Sequence, residues 1–174
     1  MVPRFCVQCG QMLHERLLPG DHRARRVCPA CGYVAYENAK PCAGVLPTQD
    51  GQVLLARRAV EPYFGRWDII GGFMEHDETP EEAALREANE ETGLTLALDG
   101  LLGVYHDVYG SSGYSTLNVY YIARIVAGAP RPYDDVSELA WFPQDKLPTE
   151  MAFPHHIHQV LADWSRWIRR SANH

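Results

Sequence analysis

The stretch from Gly72 to Leu94, GFMEHDETPEEAALREANEETGL, constrains this chain more than any other. It enters through a Gly71-Gly72 bend and leaves through Thr92-Gly93. Between them the spacing predicts one helix. Thr79 is a suitable N-cap, Pro80 suits the first helical position, and Glu82, three residues after Thr79, completes a capping box. Gly93 can turn left-handed and stop the helix. At about 100° per residue, Ala83, Glu87, Glu90 and Glu91 share one face. Ala84, Leu85 and Ala88 take the adjacent face, with side chains small enough for close packing on a core. Arg86 stands four residues after Glu82 and is expected to pair with it. Glu87 and Glu91 are a like-charge pair at the same spacing, which costs a bare helix roughly 0.2–0.5 kcal/mol. A divalent cation offers a carboxylate roughly 4 kcal/mol per unit-charge pair at about 4 Å and an effective dielectric of about 20. The cluster therefore makes physical sense as an oxygen-ligand site for Mg²⁺ or Mn²⁺, a solvated acidic face being the alternative.

A second motif fills the first 36 residues. Cys6-Val7-Gln8-Cys9-Gly10 and Cys28-Pro29-Ala30-Cys31-Gly32 are two Cys-x-x-Cys knuckles, with 18 residues between Cys9 and Cys28. That is the spacing of a four-cysteine structural zinc site. Four thiolates leave no open position, so such a zinc holds structure and does no chemistry. The segment is too short to build a core alone, so metal is expected to supply most of its folding energy. Two disulfides or redox dithiols are the alternatives, and a cytosolic setting favours zinc over both. Residues 1–40 hold six Lys/Arg and three Asp/Glu, a net +3, which leaves −9 for the rest of a chain whose net charge is −6. The boundary near residue 38 is thus also a charge boundary. Arg23, Arg25 and Arg26 suit nucleic acid, but their loop lacks interleaved aromatics, and a scaffold with a solvated basic loop is the preferred reading.

The length of 174 residues suits one domain with a small addition, and 46% hydrophobic with 22% charged residues suits a soluble globular protein. No apolar run approaches the ~18 residues of a membrane span, and MVPRFCVQCG lacks a signal peptide's apolar core. A cytoplasmic protein with no membrane partner is the expectation. Ala43–Leu46 and Gln52–Arg57 flank a turn-rich PTQDG run and read as a hairpin. Trp67–Ile70, Leu101–Val108 and Leu139–Phe142 read as strands, and Ser115–Ala127, apolar on both faces, as a central one. Ile157, Val160, Leu161, Trp164, Trp167 and Ile168 recur at helical spacing within a helix from about His155 to Arg170. His155, His156 and His158 have no Cys or acid at ligand spacing and read as surface or capping residues; Cys42 reads as a buried core cysteine.

Gly72, five residues, Glu78, seven residues, then Arg86-Glu87-Ala88-Asn89-Glu90-Glu91-Thr92-Gly93-Leu94 resembles the Nudix box, with Ala88 where a larger aliphatic residue is usual. On this the chain is identified as a member of the Nudix hydrolases. The resemblance implies an α/β fold, the Nudix α/β/α sandwich with a mixed sheet, over residues 39–174 with the box at 72–94. A small four-cysteine zinc ribbon precedes it at residues 1–38. Structural Zn²⁺ would sit on Cys6, Cys9, Cys28 and Cys31. Catalytic Mg²⁺ or Mn²⁺ would sit on Glu87, Glu90 and Glu91, with the Gly71 carbonyl as a further ligand. Gly72, Glu78, Arg86 and Gly93 would be structural, with Glu78 paired to Arg86 to fix the bend against the helix. Glu138 is the candidate for a remote metal ligand or base, with Asp135 its rival and Glu87 also open as the base. Tyr63 and Phe64, ahead of the bend, are candidates to contact substrate; one of Tyr63, Phe64 and Trp67 would stack an adenine, with core packing as the rival account and the preferred one for Trp67.

The activity so implied is metal-dependent hydrolysis of the diphosphate of a nucleoside diphosphate linked to another moiety. An ADP-containing dinucleotide or sugar nucleotide, such as FAD, NADH or ADP-ribose, is the expected substrate. A ribbon ahead of such a domain is similar to the bacterial NADH pyrophosphatases and to a zinc-ribbon group that includes plant FAD pyrophosphatases. The former carry a Ser-Gln-Pro-Trp-Pro-Phe-Pro run after the box, where this chain reads GVYHDVYGSSG over Gly103–Gly113. The CGYVAYENAK run from Cys31 to Lys40 is closer to the second group. Decapping of NAD-capped RNA and non-catalytic nucleotide sensing are the alternatives, and the intact glutamates argue against the sensor. The family also offers a homodimer as an expectation.

Overall fold

The computed structural model describes residues 3–171, so the outermost ends of the two expected spans lie outside the described residues. The chain divides after Ala39 into two compact units. In the first, β1 (His14–Leu17), β2 (Ala24–Val27) and β3 (Val34–Ala35) form an antiparallel sheet in that order. Its interior is small, with Cys6, Leu13, Cys28 and Ala35 buried and Tyr33 packed against them. So few apolar groups cannot offset the entropy of ordering the segment, as its length implied.

The second unit is the expected α/β/α sandwich. Its strands are β4 (Lys40–Gln49), β5 (Gln52–Arg58), β6 (Trp67–Asp68), β7 (Ile70–Phe73), β8 (Thr95–Tyr109), β9 (Tyr114–Ala127) and β10 (Val136–Pro143). Helix α1 spans Pro80–Thr92 and α2 spans Ile157–Ser171. The sheet runs β10-β5-β4-β9-β8, and β4 and β9 are parallel while the other strand pairs are antiparallel. Asp50 and Gly51 link β4 to β5 with φ of 51° and 74°, the left-handed pair that a tight two-residue hairpin needs.

Beyond that turn β4 and β5 part, and the next segment fills the gap. β6 bonds to β5 through Ala56 and Arg57, then β7 bonds to β4 from Cys42 to Val45. The single strand expected at Trp67–Ile70 is therefore two, broken where the chain changes partner. At the break the Asp68 carboxylate accepts the Ile69 N–H at 2.8 Å. β8 begins six residues earlier than Leu101, and bulges between Leu98 and Gly100 and between Leu101 and Gly103 interrupt its pairing with β9. Residues 33–42, across the sequence boundary near residue 38, contain β3 and the start of β4.

Side chains alternate across the sheet and build two cores. Val45, Leu54, Ala56, Ile70, Tyr121 and Ala123 face α1, which meets them with fully buried Ala83, Ala84 and Ala88. Leu46, Val53, Leu55, Tyr120 and Ile122 face α2, which contributes Ile157, Val160, Leu161, Trp164 and Ile168. Among the described residues no helix is long and apolar enough to cross a membrane. Trp164 is completely buried and its indole N–H donates to Thr48 Oγ1 at 2.9 Å. Trp164→Ala should cost about 3–5 kcal/mol in a denaturant titration, whereas Trp167→Ala, at a partly exposed position, should cost clearly less.

Candidate active site

The bend and helix that open the site are locked by short-range bonds. The Thr79 hydroxyl accepts the Glu82 N–H at 3.2 Å and the Glu82 carboxylate accepts the Thr79 N–H at 2.9 Å, which closes the expected capping box. Gly93 ends the helix with φ 67°, as expected. Glu82 is thereby engaged at the cap and does not pair with Arg86. Instead Arg86 grips Glu78 through two bonds, Nε at 2.5 Å and Nη2 at 2.9 Å, and also donates to the Phe73 carbonyl at 3.2 Å. Its Nη1 donates to Glu87 and to Glu90, each at 2.9 Å. The guanidinium beside Glu78 holds that carboxyl down at about 2. Gly72 is needed for a close approach, since a Cβ there would lie 2.6 Å from the Glu87 carboxylate.

A cleft of about 290 Å³ opens beside this helix. Among its lining residues are six acids, Asp68, Glu75, Glu87, Glu91, Asp134 and Asp135, and one guanidinium, that of Arg58. Glu91 is buried and accepts the Gly71 N–H at 3.1 Å. Burial raises its carboxyl well above the usual range, and the negative charges of Asp135, Asp68 and Glu87 add to the shift. Burial raises Glu87 as well, opposed by Arg86. Asp68 is pushed up to about 6 by burial, although Arg58 donates to it at 3.1 Å. Carboxylates so crowded and desolvated fit divalent cations bound through oxygen, which would remove the repulsion. Glu90, half exposed and held by Arg86, sits beside this group and does not line the cleft.

The remote residues are distributed differently from the expectation. Glu138 is 51% exposed at its side chain and pairs with Arg57 at 3.1 Å, because β10 directs it away from the cleft. Its rival Asp135, at the foot of the same strand, lines the cleft. Phe64 is 65% exposed and Tyr63 stands behind Phe153, ring centroids 5.0 Å apart; neither lines the cleft. The aromatic wall is made instead by Phe73, Tyr109 and Phe153, with successive centroids 5.3 and 5.5 Å apart. Cys42 is not a core residue but is half-buried in the cleft, where burial and the nearby Glu87 charge push its thiol up to about 12. His155 and His158 are exposed as expected, but His156 is not a surface residue: its carbonyl accepts the Val160 N–H at the start of α2, while its side chain turns to other partners. It is buried, lines the cleft and bonds to Asp107 and Tyr120. With Thr116 and Asn118 it completes a polar wall whose signal in the sequence was two polar residues, two apart, on one face of a largely apolar strand.

Comparison with known proteins agrees with this geometry. Residues 39–164 match the NUDIX domain, and residues 4–37 match the Nudix N-terminal zinc ribbon. The chain belongs to the Nudix family. This Nudix hydrolase is 34% identical over 119 residues to an ADP-ribose pyrophosphatase of Methanocaldococcus jannaschii, covering 68% of this chain and 69% of that protein. It is 33% identical over 148 residues to the NAD-capped RNA hydrolase NudC of Pseudomonas aeruginosa, covering 83% of this chain but 49% of that one. The chain thus matches about half the length of that relative. A crystal structure of a NUDIX hydrolase from Nitrosomonas europaea superposes with a TM-score of 0.81 at 31% identity, covering 94% of this chain and 91% of that one.

The ribbon of this Nudix hydrolase has the geometry of a metal site. Its four Sγ atoms lie within 4.8 Å of one another, with separations of 3.4 Å for Cys9–Cys28, 3.6 Å for Cys6–Cys31 and 3.7 Å for Cys9–Cys31. Thiolates at about 2.3 Å from a tetrahedral zinc stand about 3.8 Å apart, whereas a disulfide needs about 2.05 Å. The knuckles repeat each other: Gly10 and Gly32 N–H groups donate to the Cys6 and Cys28 carbonyls, and the Cys6 and Cys28 N–H groups to the Gln11 and Tyr33 carbonyls. The Cys31 and Ala30 N–H groups bond the Cys28 sulfur and help lower its pKa to about 6, which favours the thiolate that zinc requires.

The raised carboxyls of the cleft generate a pH dependence. Their neutral forms favour the fold, so that stability is complete below the ordinary glutamate value of about 4.3 and is lost as pH rises through the raised values. With no divalent cation added beyond the ribbon's zinc, thermal midpoints should fall as pH rises from about 5 to about 8, and Mg²⁺ or Mn²⁺ should restore them mainly at the upper end. Glu91→Gln should flatten the profile without added cation; identical wild-type profiles with and without Mg²⁺ or Mn²⁺ would count against a cation among these acids.

Proposed function

We propose that this Nudix hydrolase cleaves the diphosphate of an ADP-containing dinucleotide or sugar nucleotide, with FAD, NADH and ADP-ribose as the candidates. The observation that carries the reading is one cleft with buried acids on one wall and three aromatic rings on another. An anionic diphosphate cannot approach six carboxylates unless cations intervene, and a base stacks readily on the exposed Phe73 and half-buried Tyr109 rings, which the buried Phe153 backs. In this reading Glu87, Glu90 and Glu91, with the Gly71 carbonyl, hold Mg²⁺ or Mn²⁺. Such ions, when bound, polarise phosphate oxygens and lower the pKa of a ligated water. Arg86 keeps Glu87 and Glu90 side by side. The Gly71 N–H orients Glu91. The proximity of Asp135 to Glu91, and the engagement of Glu138 by Arg57, support Asp135 as the remote acid. The ribbon's Zn²⁺ is structural and takes no part in the chemistry. The similarity to an ADP-ribose pyrophosphatase over two thirds of the chain supports the same class of substrate.

Product analysis with FAD, NADH, NAD⁺ and ADP-ribose side by side, in Mg²⁺ and then Mn²⁺, should yield AMP and the partner phosphate from at least one of them. Glu91→Gln should lower kcat for that substrate on the order of 10²-fold or more. Unchanged hydrolysis by Glu91→Gln would remove this glutamate from the chemistry.

A second reading, hydrolysis of NAD-capped RNA, is favoured by the similarity to NudC over 83% of this chain and by the positive charge of the first 40 residues. It requires RNA binding whose affinity falls steeply between about 50 and 200 mM salt. Binding indifferent to salt would exclude a role for the basic ribbon in holding the strand.

A further inference from the structure

Strand β9 carries a polar row through the interior: Thr116, Asn118 and Tyr120, two residues apart and therefore on one face, all buried and all lining the cleft. Polar groups in such a place cost stability unless hydrogen bonds replace water, so it matters what those bonds leave over. Asn118 Nδ2 donates to the Tyr105 carbonyl at 3.3 Å and to Thr116 Oγ1 at 3.0 Å. Both amide hydrogens are committed, and the carbonyl oxygen is what remains. The Tyr120 hydroxyl meets His156 Nε2 at 3.0 Å, and His156 Nδ1 meets Asp107 Oδ2. Asp107 Oδ1 accepts the Val108 N–H at 2.5 Å. A carboxylate only accepts, so Nδ1 carries the imidazole proton and Nε2 is bare. The Tyr120 hydrogen therefore points at Nε2, and Tyr120 too is left with an oxygen lone pair. Burial keeps His156 neutral by lowering its affinity for a second proton.

We infer that this wall reads a hydroxyl of the adenosine ribose, with the Tyr120 oxygen as the acceptor and the Asn118 carbonyl oxygen beside it. The inference rests on the proposed adenine nucleotide. The Tyr120 and Asn118 oxygens repel phosphate oxygens and welcome a neutral donor. Its neighbours fix which donor that is. Phe153, itself buried, contacts both Tyr109 and His156, with ring centroids 5.5 and 6.5 Å apart, so the stacking surface of Phe73 and Tyr109 adjoins the wall, while Glu87 and Glu91 stand on α1. In a nucleotide the ribose joins the base to the phosphates, and the same order along the cleft brings the ribose to Tyr120. Asp107 and His156 are positioning residues that set the direction of the Tyr120 hydrogen.

AMP is a product of cleaving FAD, NADH or ADP-ribose, so it tests the wall without reference to turnover. AMP, 2′-deoxyAMP and 3′-deoxyAMP are titrated calorimetrically into the full chain with Mg²⁺. The wild type should bind AMP about fivefold more tightly than at least one deoxy compound. Tyr120→Phe should bring that ratio close to one. Asp107→Asn should do the same by another route: the Val108 N–H retains the amide oxygen, and the amide nitrogen then faces His156 Nδ1. The imidazole proton moves to Nε2 and donates to Tyr120, whose hydrogen turns outward. Equal wild-type affinity for the three compounds, or a preference that survives in both variants, overturns the inference. If FAD, NADH and ADP-ribose are not hydrolysed while the AMP preference is intact, the functional reading falls and the wall stands; hydrolysis with indifference to the sugar hydroxyls gives the reverse.

Discussion

The Arg86 guanidinium is the interaction on which the site depends. One planar group holds Glu78 and the Phe73 carbonyl on the loop side, and Glu87 and Glu90 on the helix. Its rigid fork can serve several acceptors at once, which a lysine could not. Without it the loop between Phe73 and Thr79 would have no fixed distance from the helix, and Glu87 would lose the one cation that opposes its desolvation. Glu78, held by two Arg86 bonds, remains charged because of this contact, while Glu87, held by one, does not gain enough from it to offset its desolvation. The same side chain therefore separates a structural carboxylate from one suited to a stronger, divalent partner.

The sheet explains why that helix can meet the rest of the cleft. β7 lies on β4 because β4 and β5 diverge beyond their hairpin, and this brings Gly71 and Gly72 alongside α1. A side chain at Gly71 would run into the Ala43 carbonyl of β4, and one at Gly72 into Glu87. Both glycines thus mark close approaches, one to the sheet and one to the helix. The alanines of α1 act in the same direction: fully buried Ala83, Ala84 and Ala88 let the helix settle close to the strands. Ala88, the departure from the usual larger aliphatic residue, belongs to this packing.

What was legible in the sequence was local. The cap at Thr79, the stop at Gly93 and the two cysteine knuckles depend on residues a few positions apart, and each forms as its spacing predicts. The fold class followed from the resemblance of residues 72–94 to the Nudix box, with which the apolar runs read as strands agreed. Contacts across the sheet were not legible. Glu138 and Asp135 are three residues apart, yet only strand direction and the bulge between Val136 and Glu138 decide which one faces the cleft. Tyr63 was a reasonable stacking residue by its position, but Phe153, ninety residues later, comes between it and the cleft. His156 read as a surface residue because its partner Asp107 lies 49 positions away.

The two walls of the cleft solve opposite problems with the same burial. On the helix side, desolvation raises carboxyls that share a small space, and only added positive charge can relieve them. On the β9 side the polar atoms are neutral or paired, and desolvation instead strengthens each hydrogen bond and fixes its direction. The substrates proposed above carry their anionic oxygens at the centre and hydroxyl donors on both sides. Phosphates turned toward Tyr120 would meet bare acceptors, so two incompatible environments in one cleft would keep diphosphate and sugar apart. Which of the two ends faces β9 would then fall to the rings beside it, because only one end of such a molecule carries adenine.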